Sequence, residues 1–260
     1  MTLTFVHISD SHLGPTRDFT LQGQPTFPNL ERAVEVINQF PDPPDFVVHT
    51  GDVSNDRSRD SYVLAADILG RLKAPIYYVN GNHDDRGWMH EYLGAPLHAS
   101  DDPNRPLDYV FEVKGERFMV VDAFDPAVRQ PNGQLSGQQL EWIRAETTQD
   151  GPPLTVFMHY GALPMGSPWL DEYMLILNGE ALHQALMPAR KRLRGVFHGH
   201  LHRSSQVVRD GITYTCAGAT SIQYAWRSWD EKPKVDPAFP PSYNLVQYAA
   251  NQVQVLQYGF

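Results

Sequence analysis

The sequence predicts an α/β fold built on mixed sheets, and three features carry that prediction. Short apolar runs rich in β-branched and aromatic residues recur as candidate buried strands. Helical periodicities separate several of them. Later in the chain, paired runs flank tight-turn dipeptides, which adds antiparallel strands to a parallel core. At 260 residues the chain suits one domain, residues 1–260, near the upper bound of a single hydrophobic core.

The strand candidates are residues 4–9, 46–50, 76–79, 154–158 and 195–198. After the first, Ala33, Val36, Ile37 and Phe40 fall on one face of a helix, with Asn29 in position to cap its N-terminus. A helix over about 58–72 follows the second strand, and 85–93 and 136–146 are shorter helical patterns. Residues 109–113 and 117–122 flank Lys-Gly-Glu as a hairpin. Residues 206–209 and 212–216 flank Asp-Gly, and 243–248 pairs with 253–258. Between these pairs lies 217–243, rich in proline and in aromatics such as Tyr224, Trp226, Trp229 and Phe239. Its composition suits a cap over a site or an oligomer contact rather than a flexible linker.

The 21 Lys plus Arg against 30 Asp plus Glu leave a formal charge of −9, spread without blocks. That balance argues against general binding to nucleic acid or to anionic membranes. No run approaches the roughly 20 apolar residues of a membrane span, and MTLTFVHISD lacks the flank and apolar core of an export signal. The expectation is a soluble, cytoplasmic protein. Cys216 is the only cysteine, so any metal must be held by nitrogen and oxygen, and the eleven histidines become the residues to follow.

Each strand candidate runs at once into polar residues able to bind metal, where open α/β sheets place their sites. The first leads into Asp10-Ser-His12, the second into Gly51-Asp52, the third into Gly81-Asn82-His83-Asp84, the fourth into His159, and the fifth into Gly199-His200-Leu-His202. Singly, each fragment also reads as a turn or a packed histidine. Five coincidences at five strand ends read instead as one shared metal site. If the backbone stays extended, Asp-x-His and His-x-His send both donors to the same side.

In this order, DxH, GD, GNHD, a later His and GHxH resemble the calcineurin-like metallophosphoesterases, with motifs spanning Asp10 to His202. Spacing, length and Leu163-Pro164 after His159 are most similar to bacterial class III cyclic-nucleotide phosphodiesterases and glycerophosphodiesterases. Protein phosphatases with GDxxDRG and GNHE are less similar, and the metal-binding Tyr that purple acid phosphatases carry after GD is absent. Tyr160-Gly161-Ala162 departs from the two prolines of the nearest relatives.

The resemblance implies a four-layer α/β/β/α sandwich with mixed sheets and helices outside. It implies that Asp10, His12 and His202 bind one metal, that Asn82, His159 and His200 bind a second, and that Asp52 bridges them. A donor set of imidazole, carboxylate and amide oxygen suits Fe, Mn or Zn, with Co also fitting, and disfavours Mg²⁺ and Ca²⁺. With two divalent ions, two carboxylates and one hydroxide the centre keeps a charge of about +1, suited to a phosphodiester monoanion.

The expected activity is hydrolysis of small-molecule phosphodiesters, 3′,5′-cyclic nucleotides or glycerophosphodiesters, by in-line attack of a metal-bound hydroxide. A phosphomonoesterase or a noncatalytic scaffold on the same fold is the alternative. His83 is expected to face the leaving group as a catalytic proton donor, with Asp84 holding its tautomer. Asn82, His83 and Tyr160 are the expected substrate contacts, although packing also accounts for Tyr160. Trp169, Asp171 and Tyr173 lie in the segment after the fourth strand candidate, where substrate-facing loops belong in this architecture, and read as packing in preference to substrate contact. His7, His49 and His198 read as buried histidines supporting the site, and His90, His98 and His183 as unrelated to it.

Overall fold

The computed structural model describes residues 2–96 and 105–260, so His98 lies outside the described residues. The main elements run β1 (Leu3–Ile8), α1 (Thr26–Asn38), β2 (Phe46–His49), α2 (Arg59–Leu69), β3 (Ile76–Tyr78) and α3 (Arg86–Leu93). They continue with β4 (Tyr109–Val113), β5 (Glu116–Val121), α4 (Gly137–Thr148), β6 (Leu154–Met158), α5 (Pro168–Tyr173) and α6 (Gly179–Leu186). The last are β7 (Leu193–His198), β8 (Ser205–Arg209), β9 (Ile212–Cys216), β10 (Ser242–Ala249) and β11 (Gln252–Gly259).

Two mixed sheets result. One has the order β11-β10-β1-β2-β3, the other β8-β9-β7-β6-β5-β4. In the first, β1, β2 and β3 are parallel, while β10 joins β1 antiparallel with Phe5 opposite Val246. In the second, β5, β6, β7 and β9 are parallel, with β4 and β8 added antiparallel at the edges. The parallel strands are apolar on both faces because both faces are covered.

Between the sheets, Phe5, Phe46, Phe118, Phe157 and Phe197 interlock, with centroids 5.0 Å apart for Phe5–Phe46 and 5.6 Å for Phe118–Phe157. Stacked and edge-on rings at these spacings bury large apolar area in preferred geometries. Outside the first sheet, Leu30, Val34 and Ile37 of α1, with Tyr62, Ala65 and Ile68 of α2, cover Val6, Ile8 and Val47. Outside the second, Leu140 and Ile143 of α4 with Leu182 and Leu186 of α6 cover Val121, Val156 and Val196. The helices therefore sit outside and the sheets inside, as the four-layer expectation requires.

Local rules explain most boundaries. Ser58 caps α2 by accepting from Ser61 N, Asp85 caps α3 by accepting from Trp88 N, and Ser136 and Gln139 form a capping box on α4. Lys114 and Gly115 both have positive φ in the β4–β5 turn, as do Asp210 and Gly211 between β8 and β9, which fits tight hairpins. One boundary differs from the sequence reading. Helix α1 starts at Thr26, so Asn29 is not its cap but sits inside the helix, with Pro28 in the first turn where a missing N–H is harmless. The amide of Asn29 instead donates to the carbonyl of Ser221 at 3.1 Å.

Candidate metal centre

The residues Asp10, His12, Asp52, Asn82, His159, His200 and His202 follow β1, β2, β3, β6 and β7 and are all buried. At five of them the backbone is not extended. Asp10, His12, Asp52, His200 and His202 have φ of 54°, 45°, 56°, 71° and 48°, the left-handed region that non-glycine residues rarely occupy. The two donors of Asp-x-His do converge, but through paired left-handed turns rather than the period-two alternation of a strand. Such conformations cost on the order of 1–3 kcal/mol each and persist where the surroundings over-determine them, as at functional sites.

The donors form groups that share members. Asp10, His12 and His202 offer ligand atoms within 4.8 Å of one another, as do Asp52, His159 and His200, and a third group of His12, Asp52 and His83 shares one residue with each. His12 Nε2 lies 3.0 Å from His202 Nε2, and His202 Nε2 lies 3.5 Å from Asp10 Oδ1. His159 Nε2 lies 3.1 Å from Asn82 Oδ1. Asp52 Oδ2 stands between the groups, 3.5 Å from His12 Nε2 and 3.3 Å from His159 Nε2.

These spacings and proton positions fit two cations. A metal–donor length of about 2.1 Å puts neighbouring donors about 3.0–3.4 Å apart in octahedral or tetrahedral arrangements. Nδ1 of His159 faces the carbonyl of Thr50 at 2.7 Å, and Nδ1 of His202 faces the carbonyl of Ile222 at 2.9 Å. Because a carbonyl only accepts, Nδ1 of each ring carries a proton, and Nε2 points toward the other donors. Buried His200 Nε2 has no protein partner, an orphan that a bound ion accounts for. The donor set thus fits a dinuclear divalent-metal site.

The electrostatics follow from burial and crowding. Burial opposes ionisation of Asp52, but the adjacent His159 overcomes it and holds Asp52 well below the carboxylate range. Burial alone would depress His159, yet Asp52 raises it to about 9. Burial drives His12 and His200 well below the ordinary histidine value, and pushes Asp10 up, against the pull of His202. The supporting histidines are likewise neutral, since burial lowers His7 and His49 to about 3 and His198 to about 4. His7 Nε2 contacts Thr50 Oγ1 at 2.9 Å, and His49 Nε2 contacts Ser11 Oγ at 2.7 Å.

Two expected roles change. Asp84 does not hold the tautomer of His83. Its carboxylate accepts from Val53 N, Ser54 N, Gly81 N and Tyr62 Oη, tying the loops after β2 and β3 together. His83 is oriented by the carbonyl of Asn55, 2.8 Å from Nδ1, with its ring edge-on to His12 at 5.0 Å. Tyr160 is fully buried and outside the cavity wall, so packing replaces the direct substrate contact expected of it. Its ring lies 5.1 Å from that of His159 and 4.8 Å from that of His200.

Close approach explains two motif glycines. A Cβ on Gly81 would fall 2.2 Å from Asp52 Oδ1, and one on Gly199 would fall 1.8 Å from Ser9 Oγ and 2.7 Å from Asp10 Oδ2. Either would displace a donor.

The site opens into a cavity of about 250 Å³. His12, Asp52, Asn82, His200 and His202 line it, with His83, Asn55, Leu21, Pro131, Trp169, Met174 and Tyr224. Trp169 faces the cavity as well as packing, whereas Asp171 accepts from Met165 N and Gly166 N and orders its own loop. The sequence reading missed Leu21, Asn55, Pro131 and Met174, for which neither residue type nor spacing offers a signal. The first part of 217–243 is also wall, since Tyr224 packs on His202 with centroids 4.8 Å apart. His90 contacts Ala95 O and His183 contacts Tyr214 and Asp210, away from the donors. Among the described residues, no helix is long and apolar enough to cross a membrane.

Known proteins place these observations. The family model described as calcineurin-like phosphoesterase matches residues 3–204. The chain is 30% identical over 230 residues to the 3′,5′-cyclic adenosine monophosphate phosphodiesterase CpdA of Pseudomonas aeruginosa, covering 88% of this chain and 80% of that one. It is 29% identical over 247 residues to the glycerophosphodiester phosphodiesterase GpdQ of Enterobacter lignolyticus (strain SCF1), covering 92% of this chain and 85% of that one. Among solved structures, a dimetal phosphatase from Danio rerio shares the fold with a TM-score of 0.67 at 19% identity, over 99% of both chains.

Proposed function

The chain belongs to the calcineurin-like phosphoesterase family, and from that membership we propose that it hydrolyses small-molecule phosphodiesters, with 3′,5′-cyclic nucleotides and glycerophosphodiesters as the leading substrate classes. The relatives named for those two activities support both classes. In this proposal Asp10, His12 and His202 would hold one cation and Asn82, His159 and His200 the other, with Asp52 shared between them. Nitrogen and oxygen donors without thiolate favour Fe, Mn or Zn. Bound there, the pair supplies Lewis-acid stabilisation of the phosphoryl oxygens and acidifies the attacking water.

The observation that carries the diester reading is the charge of the cavity wall. Apart from the donors, it consists of His83, Asn55 and apolar or aromatic side chains, with no Lys or Arg among the described lining residues. A phosphodiester brings one negative charge, which the cations meet. A phosphomonoester dianion finds no further cationic side chain to balance its second charge.

The protein's own residues supply the rest. The Asn55 carbonyl fixes Nδ1–H of His83, which leaves Nε2 as the atom that can hand a proton to the departing alkoxide. To donate, the ring must carry a hydrogen on both nitrogens, with Nδ1–H held by the Asn55 carbonyl. Leu21, Trp169, Met174 and Tyr224 receive the ester group and exclude water around the reacting phosphorus.

The test compares kcat/KM for bis(p-nitrophenyl) phosphate and p-nitrophenyl phosphate, then for cyclic AMP and a glycerophosphodiester, in Mn²⁺-loaded protein. The diester is expected to be preferred at least about tenfold. A preference for the monoester, or no turnover of either with two ions bound, overturns the proposal.

A further inference from the structure

Asn55 lines the cavity from a main chain that is held at both ends. Its N–H donates to Leu13 O at 2.8 Å, and its carbonyl accepts from Nδ1 of His83 at 2.8 Å. The residues around it are fixed as well. Ser54 N donates to the Asp84 carboxylate, Ser54 Oγ donates to His83 O at 2.9 Å, and Arg57 N donates to Ser54 Oγ at 2.9 Å. The loop therefore keeps its shape without help from the Asn55 side chain. That side chain is partly buried and bonds to no other described residue.

The rest of the wall offers little to a polar ligand. Leu21, Pro131 and Met174 are apolar, Trp169 has only its indole N–H, and the Tyr224 hydroxyl is engaged by Gln22 Nε2 at 3.1 Å. Apart from the donors and His83, Asn55 is thus the one described lining side chain that can both donate and accept with no protein partner to give up. Its place beside His83 decides which part of a ligand it meets. His83 Nε2 serves the departing oxygen, so the Asn55 amide lines the side of the cavity where the leaving group emerges. A cyclic ribonucleotide and a glycerophosphodiester share one feature there. Each carries a hydroxyl on the carbon next to the esterified one, the 2′-hydroxyl beside O3′ in the first and the C2 hydroxyl of glycerol in the second.

We infer that the Asn55 side chain determines specificity by hydrogen-bonding a hydroxyl vicinal to the scissile ester oxygen, so that hydroxylated diesters are preferred over their deoxy counterparts. The inference rests on the phosphodiesterase reading above. A main chain already locked presents the amide at little ordering cost. Because Asn55 is only partly buried, water can replace the bond when the hydroxyl is missing. The preference is then the net worth of one hydrogen bond, about tenfold, rather than the roughly 10⁴-fold exclusion that a sealed polar pocket achieves.

The experiment measures kcat/KM in Mn²⁺-loaded full-length protein for two substrate pairs. One pair is cyclic AMP and 2′-deoxy cyclic AMP, the other glycerophosphocholine and its 3-hydroxypropyl analogue, which lacks the C2 hydroxyl. Wild type should prefer the hydroxylated member of at least one pair by about tenfold, and the pair that shows it identifies the source of the hydroxyl. Asn55→Ala keeps the carbonyl that holds His83 and should bring that ratio to about one, with any general damage cancelling in the ratio. Asn55→Asp keeps an acceptor for the hydroxyl proton and should retain the preference while slowing all four phosphodiesters. A wild-type ratio near one in both pairs, or a preference that Asn55→Ala leaves intact, overturns the inference and leaves the proposed function standing. No turnover of any of the four with two ions bound overturns the proposed function and this inference with it.

Discussion

Oδ1 of Asp52 accepts the backbone N–H of His83 at 2.8 Å. That bond divides the labour of one carboxylate. Oδ1 anchors the loop that carries Asn82 and His83, and Oδ2 faces His12 and His159. The carboxylate that stands between the two donor groups therefore also positions His83.

Replacing His83 with Ala should lower kcat by about 10²–10⁴-fold for a diester with an alkyl leaving group. The loss should be smaller for bis(p-nitrophenyl) phosphate, whose leaving group departs without a proton. Metal content should stay at two ions. Equal losses on both substrates in steady-state assays would contradict the role of proton donor.

Asp84 is predicted to act on stability. Asp84→Ala strands three buried backbone N–H groups and the Tyr62 hydroxyl, which should cost roughly 3–5 kcal/mol in denaturant unfolding. Tyr62→Phe, which removes one of those bonds, should cost about 1 kcal/mol. Comparable small losses for both would show that the carboxylate is not the anchor.

Metal loading should be linked to protons. His159 is raised to about 9 by Asp52, so at neutral pH a cation must displace its Nε2 proton. Affinity should rise as pH increases and level off near 9, by about tenfold per pH unit where one proton is released. Calorimetry in buffers of different ionisation enthalpy measures that release directly. Affinity independent of pH between 6 and 8 would contradict it.

Outside the metal-site cavity, burial and the neighbouring Asp122 raise Asp108 to about 7. The unfolded chain loses this proton first, near the ordinary carboxylate value, so ionisation favours unfolding. Stability from this group is full at low pH, falls as pH rises toward 7, and is flat above. Asp108→Asn should remove that slope and raise Tm relative to wild type by a few degrees more at pH 8 than at pH 4. The same Tm difference at both pH values would rule it out.

What could be read from the chain in advance follows from range. Strand runs such as Leu154–Met158 are short, apolar and end in a donor, so both the parallel sheets and the polar residues at their ends were legible locally. So were the helix starts near Ser58, Asp85 and Ser136, where the structure shows caps that each act within one turn. The start of α1 was misplaced at Asn29, although Pro28 in the first turn offered a signal. Helix α6 buries Leu182, Ala185 and Leu186 in only eight residues, too short a window for helical periodicity to stand out.

Partners supplied by distant backbone were beyond reach. Nothing near His83 announces that Asn55 O, rather than the adjacent Asp84, holds its ring. The left-handed φ of Asp10 and His12 is imposed by hydrogen bonds to Gly51 O and Asp52 O, contacts that exist only once β1 and β2 are paired. The pairing of β10 with β1 joins residues more than two hundred positions apart, which no local pattern encodes.

The proposed metal centre places Asp52 Oδ2 between two cations. Anomalous diffraction from crystals of the Mn²⁺-loaded protein tests this most directly. It should give two peaks about 3.5–4 Å apart, one beside His12 and His202 and one beside Asn82 and His159, with Asp52 Oδ2 touching both. A single peak, or a second one away from Asp52, would contradict it.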